Sequence, residues 1–184
     1  MPKSNAIQVR FRPAVAEDAA VIGSLRKTIW GTTYRGIHPD EEIDRYDTER
    51  HLRRDLARIG DPSYRVYLIL DGDMPIGYFH FQHKTGVHIQ SLYVLREYQR
   101  RGAGRMAFEI VRAYCRAQGL PGFTCNCNAH NRNACAFYAH MGGTVVAEDV
   151  GHANLQEDQI TYAFSVGAES VAKNGGSGEN RYAL

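Results

Sequence analysis

Between Ile7 and Phe164 the apolar and polar positions fall into short, alternating elements. Ile7-Gln8-Val9-Arg10-Phe11-Arg12-Pro13 alternates as a half-buried strand does, and Pro13 closes it. Glu17 and Asp18 favour a helix start, after which Ala19, Ile22, Leu25, Ile29 and Trp30 recur on one helical face. Gly31 to His38 reads as a loop. Pro39, at the first helical position ahead of Asp40, Glu41 and Glu42, opens a charged helix expected to run to about Ile59. Ile43, Tyr46, Leu52, Leu56 and Ile59 would form its inner side.

Tyr64 to Leu70 is a strand, Asp71-Gly72-Asp73 a hairpin signal, and Pro75 to Gln82 the return strand. Lys84-Thr85-Gly86 turns the chain into a third strand, Val87 to Val94. A helix from about Gly102 to Gln118 follows, stopped by Gly119 and Pro121. Phe123 to Asn128 is a short strand, and Asn131 to Met141 a helix ended by Gly142-Gly143. Thr144 to Glu148 and Gln159 to Phe164 complete the pattern as a strand pair. From Gly167 the composition turns small and polar, so the expected organisation is one domain, 1–166, with a flexible tail, 167–184. The order of elements predicts an α+β fold with a mixed, mostly antiparallel sheet of about seven strands flanked by about four helices.

Composition narrows the function little. A chain of 184 residues, 43% hydrophobic and 23% charged, has material for a real core. A net charge of +2 is too mild to suggest general nucleic-acid binding, and no apolar run approaches a membrane span. No apolar segment follows Lys3, Arg10 and Arg12 as a secretory signal requires, so the cytoplasm is the expected compartment. Four cysteines are then expected as thiols rather than a disulfide framework.

Chemistry concentrates at Tyr98-Gln99-Arg100-Arg101-Gly102-Ala103-Gly104-Arg105, between the third strand and the long helix. A basic, glycine-containing turn that opens a helix suits a phosphate, because the first helical N–H groups point at the anion. It is not a Walker loop, since Arg105-Met106 stands where Lys-Ser or Lys-Thr is required. Gly102-Ala103-Gly104-Arg105-Met106-Ala107 fits G-x-G-x-x-A. The acidic residue that a dinucleotide site needs about 20 positions on is missing from Phe123 to Asn128. Gln99, Gly102 and Gly104 also match Gln-x-x-Gly-x-Gly.

That third form resembles the coenzyme A pyrophosphate loop of the GNAT superfamily of acyl-CoA-dependent N-acetyltransferases. A second stretch carries the same resemblance. Asn131, Ala134 and Tyr138 share one helical face, and Asn131 to Gly143 is similar to the superfamily's N-x-x-A-x-x-F-Y-x-x-x-G-[FY] segment. It departs only at Gly143, where an aromatic is usual. The likeness covers about residues 7–164 and is strongest from Val87 to Gly142.

The resemblance implies the following roles. Backbone groups of Leu92, Tyr93 and Val94 hold the pantetheine arm and polarise the thioester carbonyl. The loop Gln99, Arg100, Arg101, Gly102, Ala103, Gly104 and Arg105 holds the pyrophosphate. Asn131 and Ala134 contact the cofactor, and Tyr138 protonates the departing thiolate. His88 stands where many relatives carry a glutamate base, and a neutral imidazole can do that work. A hydrogen-bonded strand histidine is the other reading, and His80 is a second candidate. Trp30 and Tyr34 belong to the acceptor pocket. The expected activity is transfer from acetyl-CoA to a small-molecule or peptide amine, with no metal, no nucleic acid, no membrane and a possible homodimer. The alternative is a non-catalytic acyl-CoA-binding module, kept open by Gly143 and by His88.

Two further clusters have plainer explanations. Asp40, Glu41, Glu42 and Asp44 could attract a polyamine, but acids at a helix N-terminus need no ligand. Cys125, Cys127, His130, Cys135 and His140 invite a zinc reading, yet they lack paired C-x-x-C spacing and read better as small buried thiols beside unrelated histidines.

Overall fold

The computed structural model describes residues 8–167. Ile7 and the expected tail beyond Gly167 lie outside the described residues. One open sheet contains β1 (Val9–Pro13), β2 (Tyr64–Asp71), β3 (Met74–Gln82), β4 (Val87–Val94), β5 (Gly122–Asn128), β6 (Thr144–Asp149) and β7 (Gln159–Ser165), in the order β1-β2-β3-β4-β5-β7-β6. Its helices are α1 (Ala19–Thr33), α2 (Asp40–Asp44), α3 (Thr48–Gly60), α4 (Ala103–Ala117) and α5 (Arg132–His140). Neighbouring strands are antiparallel except β4 and β5, which run parallel. The fold is α+β, as the element order predicts. Among the described residues no helix is long and apolar enough to cross a membrane.

Strand β2 reads as a nearly unbroken apolar run because both of its faces are covered. Leu68 and Leu70 meet Ile22, Leu25 and Ile29 of α1 on one side. Tyr67 and Ile69 pack on the other, with Phe79 and Ile76 respectively. On that second side α4 lays Ala107, Phe108, Val111 and Cys115 against Ile89, Phe123 and Phe164. Their spacing is that of one face of a helix.

The region from Gly31 to Gly60 departs from expectation. Helix α1 continues through Gly31, Thr32 and Thr33, with Tyr34 N donating to Trp30 O at 3.1 Å. The single helix expected from Pro39 to Ile59 is two, which makes five α-helices among the described residues, and Pro39 precedes α2 as its N-cap. The break has local causes. Asp47 accepts from Arg50 N at 2.9 Å and caps α3. Tyr46 turns back to donate its hydroxyl to Gly23 O at 3.2 Å. The inner side of α3 is also corrected, since Leu56 is 40% exposed and Asp55 only 3%.

Asp55 is inside because Arg26 is. The Arg26 guanidinium, 2% exposed, donates to both Asp55 oxygens at 2.6 and 2.7 Å and to the Tyr78 hydroxyl at 2.8 Å. Burial by itself would lower the Arg26 pKa; Asp55, Tyr78 and Tyr46 together outweigh that and raise it. Breaking a buried pair by removing one partner costs about 3–5 kcal/mol. Asp55→Ala should therefore lower stability by that amount in equilibrium denaturation, and Arg26→Met in the same chain should recover much of it. A loss no larger than the roughly 0–1 kcal/mol of an exposed pair would contradict this account.

Candidate active site

The parallel pair in the sheet is joined over a short length. Val87, His88 and Ile89 pair with Phe123, Thr124 and Cys125, and no further. On its other edge β4 stays paired with β3 as far as Val94, but the register shifts so that His80 faces Ser91 and Phe81 faces Ile89. Gln90 is the extra residue, and a bulge of this kind bends the strand that carries it. Beyond it, the edge of Leu92, Tyr93 and Val94 that faces β5 has lost its strand partner. Gly77 on β3 lets the bent strand pass, because a Cβ there would lie 2.3 Å from Tyr93 O.

The phosphate-type loop begins where β4 ends. The Gln99 side chain donates to Val94 O at 2.9 Å and ties the loop to the open strand. Arg100 has φ 62° and Gly102 φ 91°; Arg100 is the one non-glycine residue with positive φ among the described residues. That conformation is uncommon for arginine, and such outliers gather at functional sites. Gln99 N donates to Arg96 O and Met106 N to Gly102 O. Between them, among the described residues, the N–H groups from Arg100 to Arg105 donate to no backbone carbonyl. Left-handed turns leading into a helix start make a concavity of donors suited to an anion. Arg100, Arg101 and Arg105 are exposed around it, while Ala103 is buried against Ile69 and Ile76. Gly104 is required for packing, since a Cβ would stand 2.8 Å from the Phe137 ring. It brings α5 against the loop.

Asn131 caps α5, accepting from Ala134 N at 3.2 Å. Two turns along, Tyr138 is buried among Phe108, Phe137 and Tyr162. Burial raises its pKa well above the usual phenol range, and nearby Cys125, Cys127, Tyr93 and Tyr34 raise it further. The phenol therefore holds its proton at any physiological pH. Tyr34, at the end of α1, places its hydroxyl 3.1 Å from that of Tyr93. Phenols from α1, β4 and α5 thus gather where β4 and β5 part. Behind Tyr34 the Trp30 ring packs edge-on at 5.6 Å, and it also touches His38, Tyr46 and His51. The departure at Gly143 is a matter of space: a Cβ there would lie 2.8 Å from the Phe164 ring.

His88 engages both ring nitrogens, with Thr124 Oγ1 at 2.8 Å and Asn126 Oδ1 at 3.2 Å, and its partial burial lowers its pKa. His80 is buried beside Tyr64 and Tyr78, and burial pushes its pKa down to about 3. Asp40 and Asp44 are both paired with Arg35. The Cys127 and Cys135 thiols lie 3.6 Å apart, while His130 turns to Asp158. Among the described residues no group of three or more His, Cys, Asp and Glu is placed to hold a metal ion.

Three features escaped the sequence: the Tyr93 hydroxyl, the strained Arg100, and Asp158. Asp158 has no motif around it, yet it is 4% exposed and ties two segments together. It accepts from His130 Nε2 at 2.7 Å and from His152 N and Nδ1 at 3.0 and 2.8 Å. These bonds lower its pKa, and the bond to Asp158 raises that of His152. A raised histidine pKa adds stability that is complete below about pH 6.5 and is lost as pH rises through the folded value. The lowered Asp158 pKa adds stability that is lost only in acid. The melting-temperature advantage of wild type over His152→Ala should accordingly shrink between pH 6 and pH 8.5. An advantage that grows over that interval would refute the ion pair.

The family model for the acetyltransferase (GNAT) family matches residues 25–142. A search of curated protein sequences gave no significant match. Among solved structures, the chain is similar to the PaiA N-acetyltransferase of Thermoplasma acidophilum in complex with coenzyme A. The identity is 18% and the TM-score 0.70, over 85% of this chain and 98% of that one. An acetyltransferase of Thermus thermophilus gives 21% and 0.68, over 87% and 98%. NAA60 of Arabidopsis thaliana, in complex with a bisubstrate analogue, gives 18% and 0.62, over 87% and 100%. At these identities the structures speak to the fold. The family match runs from within α1 past the end of α5 and takes in the bulged strand, the loop and Tyr138. The chain belongs to the GNAT family of acetyltransferases.

Proposed function

We propose that the protein moves an acetyl group from acetyl-CoA to a primary amine of a small molecule or peptide, by direct attack in a ternary complex. The observation that carries this reading is the gap between β4 and β5, with unpaired loop N–H groups at its mouth and the Tyr138 phenol beside it. Acetyl-CoA supplies the carbonyl that the amine attacks and the thiolate that leaves. Every other part of the reaction is work for this chain's own groups.

The N–H groups from Arg100 to Arg105 and the three exposed arginines hold the pyrophosphate, with Gln99 keeping the loop at the end of β4. The free edge of Leu92, Tyr93 and Val94 receives the pantetheine arm, and an N–H of that edge faces the thioester oxygen. A fixed donor aimed at developing negative charge is among the largest contributions a site can make. Asn131 contacts the arm near its outer end, and the small Ala134 leaves room for it. Tyr138, protonated throughout, gives its proton to the departing sulfur. Tyr34, joined to Tyr93 and backed by Trp30, walls the acceptor side. No cysteine is needed as a nucleophile.

Calorimetric titration tests the donor. Acetyl-CoA should bind with a dissociation constant on the order of micromolar, and NAD should give no heat. A folded sample that ignores acetyl-CoA would remove the loop from the mechanism. Tyr138→Phe conserves volume in the core and tests the acid. It should lower kcat by about 10²-fold, the lower range of general acid catalysis, and leave acetyl-CoA affinity largely intact. Unchanged turnover would exclude Tyr138 as the proton donor.

A further inference from the structure

Two open cavities of about 460 and 570 Å³ meet where Gly36 and Ile37 face Leu155. The larger lies between the end of α1 and the turn from β5 into α5, and it includes Asn131. Thr33 and Arg35 of its wall flank Tyr34, whose hydroxyl reaches Tyr93. The cavity thus adjoins the segment that carries Tyr34, and it has room for an amine. His130 stands in its lining.

His130 is held as a base is held. Its side chain is 39% exposed, and its Nε2 lies 2.7 Å from Oδ2 of the buried Asp158. The other Asp158 oxygen accepts twice from His152, so the carboxylate cannot turn away. A carboxylate at Nε2 fixes the proton on that nitrogen and leaves the lone pair on Nδ1. Among the described residues no hydrogen bond engages His130 Nδ1, and the neighbouring Asn128 accepts from the His130 backbone N–H, which sets the turn. His88 is arranged differently. With Nε2 facing Asn126 Oδ1, its Nδ1 faces the Thr124 hydroxyl, and neither nitrogen is free.

We propose that His130, oriented by Asp158, takes the proton from the incoming ammonium, directly or through one water. This assignment rests on the acetyltransferase reading and names the base for it. Two protons leave the ammonium over the reaction. His130 takes the first and passes it to solvent, which frees the lone pair that attacks. The second is shed as the C–N bond forms and the C–S bond breaks, and it replaces the proton that Tyr138 gives to the thiolate. The charged groups that face His130 are Asp158 and, behind it, His152 with Asp149; Arg35 and Arg132 line the same cavity. Arg35 is already paired with Asp40 and Asp44.

A structural tether and a base can be told apart. His130→Gln keeps an N–H donor for Asp158 but cannot take a proton. Wild type is first screened for acetyl transfer to polyamines, aminoglycosides, amino acids and unblocked peptides, and the fastest acceptor is used throughout. His130→Gln should lower kcat/KM for that amine by about 10²-fold. It should also abolish the acidic limb of the pH profile, while acetyl-CoA affinity by calorimetry stays unchanged. His130→Gly should be partly rescued by added imidazole. A His130→Gln enzyme with wild-type rate and an intact acidic limb overturns the proposal and leaves the acetyltransferase reading standing. Absence of transfer by the wild type to every amine in the screen sinks both.

Discussion

The site depends on how briefly β4 and β5 stay together. A parallel pair in the middle of a sheet normally runs its full length, because each unmade ladder bond leaves a backbone donor or acceptor to be satisfied elsewhere. Here pairing ends after Ile89, and the bulge at Gln90 turns the rest of β4 toward β3. The tighter union with β3 is possible because Gly77 offers no side chain at the point of closest approach. What remains is a free strand edge inside the molecule, flanked by α4 and α5 on one face and by the Tyr34–Tyr93 pair on the other.

The two ends of that gap are built by different physics. At the mouth, the left-handed Arg100 and Gly102 and the start of α4 collect donors that the backbone itself leaves unpaired. A strained arginine is held there because Gln99 fastens the loop to Val94 and Gly104 fits beneath Phe137. Further in, burial is the agent. Tyr138 lies among rings and thiols that disfavour its anion, so it stays a protonated hydroxyl. The same seclusion makes the neighbouring thiols poor nucleophiles, and burial pushes the Cys125 thiol up to about 12.

The opposite layer serves as the frame. The Arg26–Asp55 pair and the Tyr78 hydroxyl lock α1 and α3 to β3, and Tyr46 adds a bond to Gly23. With α1 fixed, Tyr34 at its end is delivered to Tyr93. The segment after it, from Arg35 to Ile37, forms one wall of the cavity that His130 lines from the other side. Asp158 holds that second wall. The two walls are therefore held by two buried carboxylates, Asp55 and Asp158, neither of which belongs to a sequence motif.

Local pattern alone determined most of the elements and their order. Strand alternation, the helical stripe of α4, the hairpin at Gly72 and the stops at Gly119 and Gly142 are short-range signals, each decided by a few neighbouring residues. The loop from Gln99 to Arg105 and the Asn131–Ala134–Tyr138 face were legible for the same reason. Tertiary structure decided what depends on contacts far apart in the chain. It split the helix after Pro39 because Tyr46 bonds to Gly23, and it buried Asp55 instead of Leu56 because Arg26 lies opposite. It also filled the place beside Gly143 with Phe164 and set Asp158 behind His130. A sequence window records which side chains a residue has beside it, whereas the partner of a buried charge comes from another element, and only the packed chain names it.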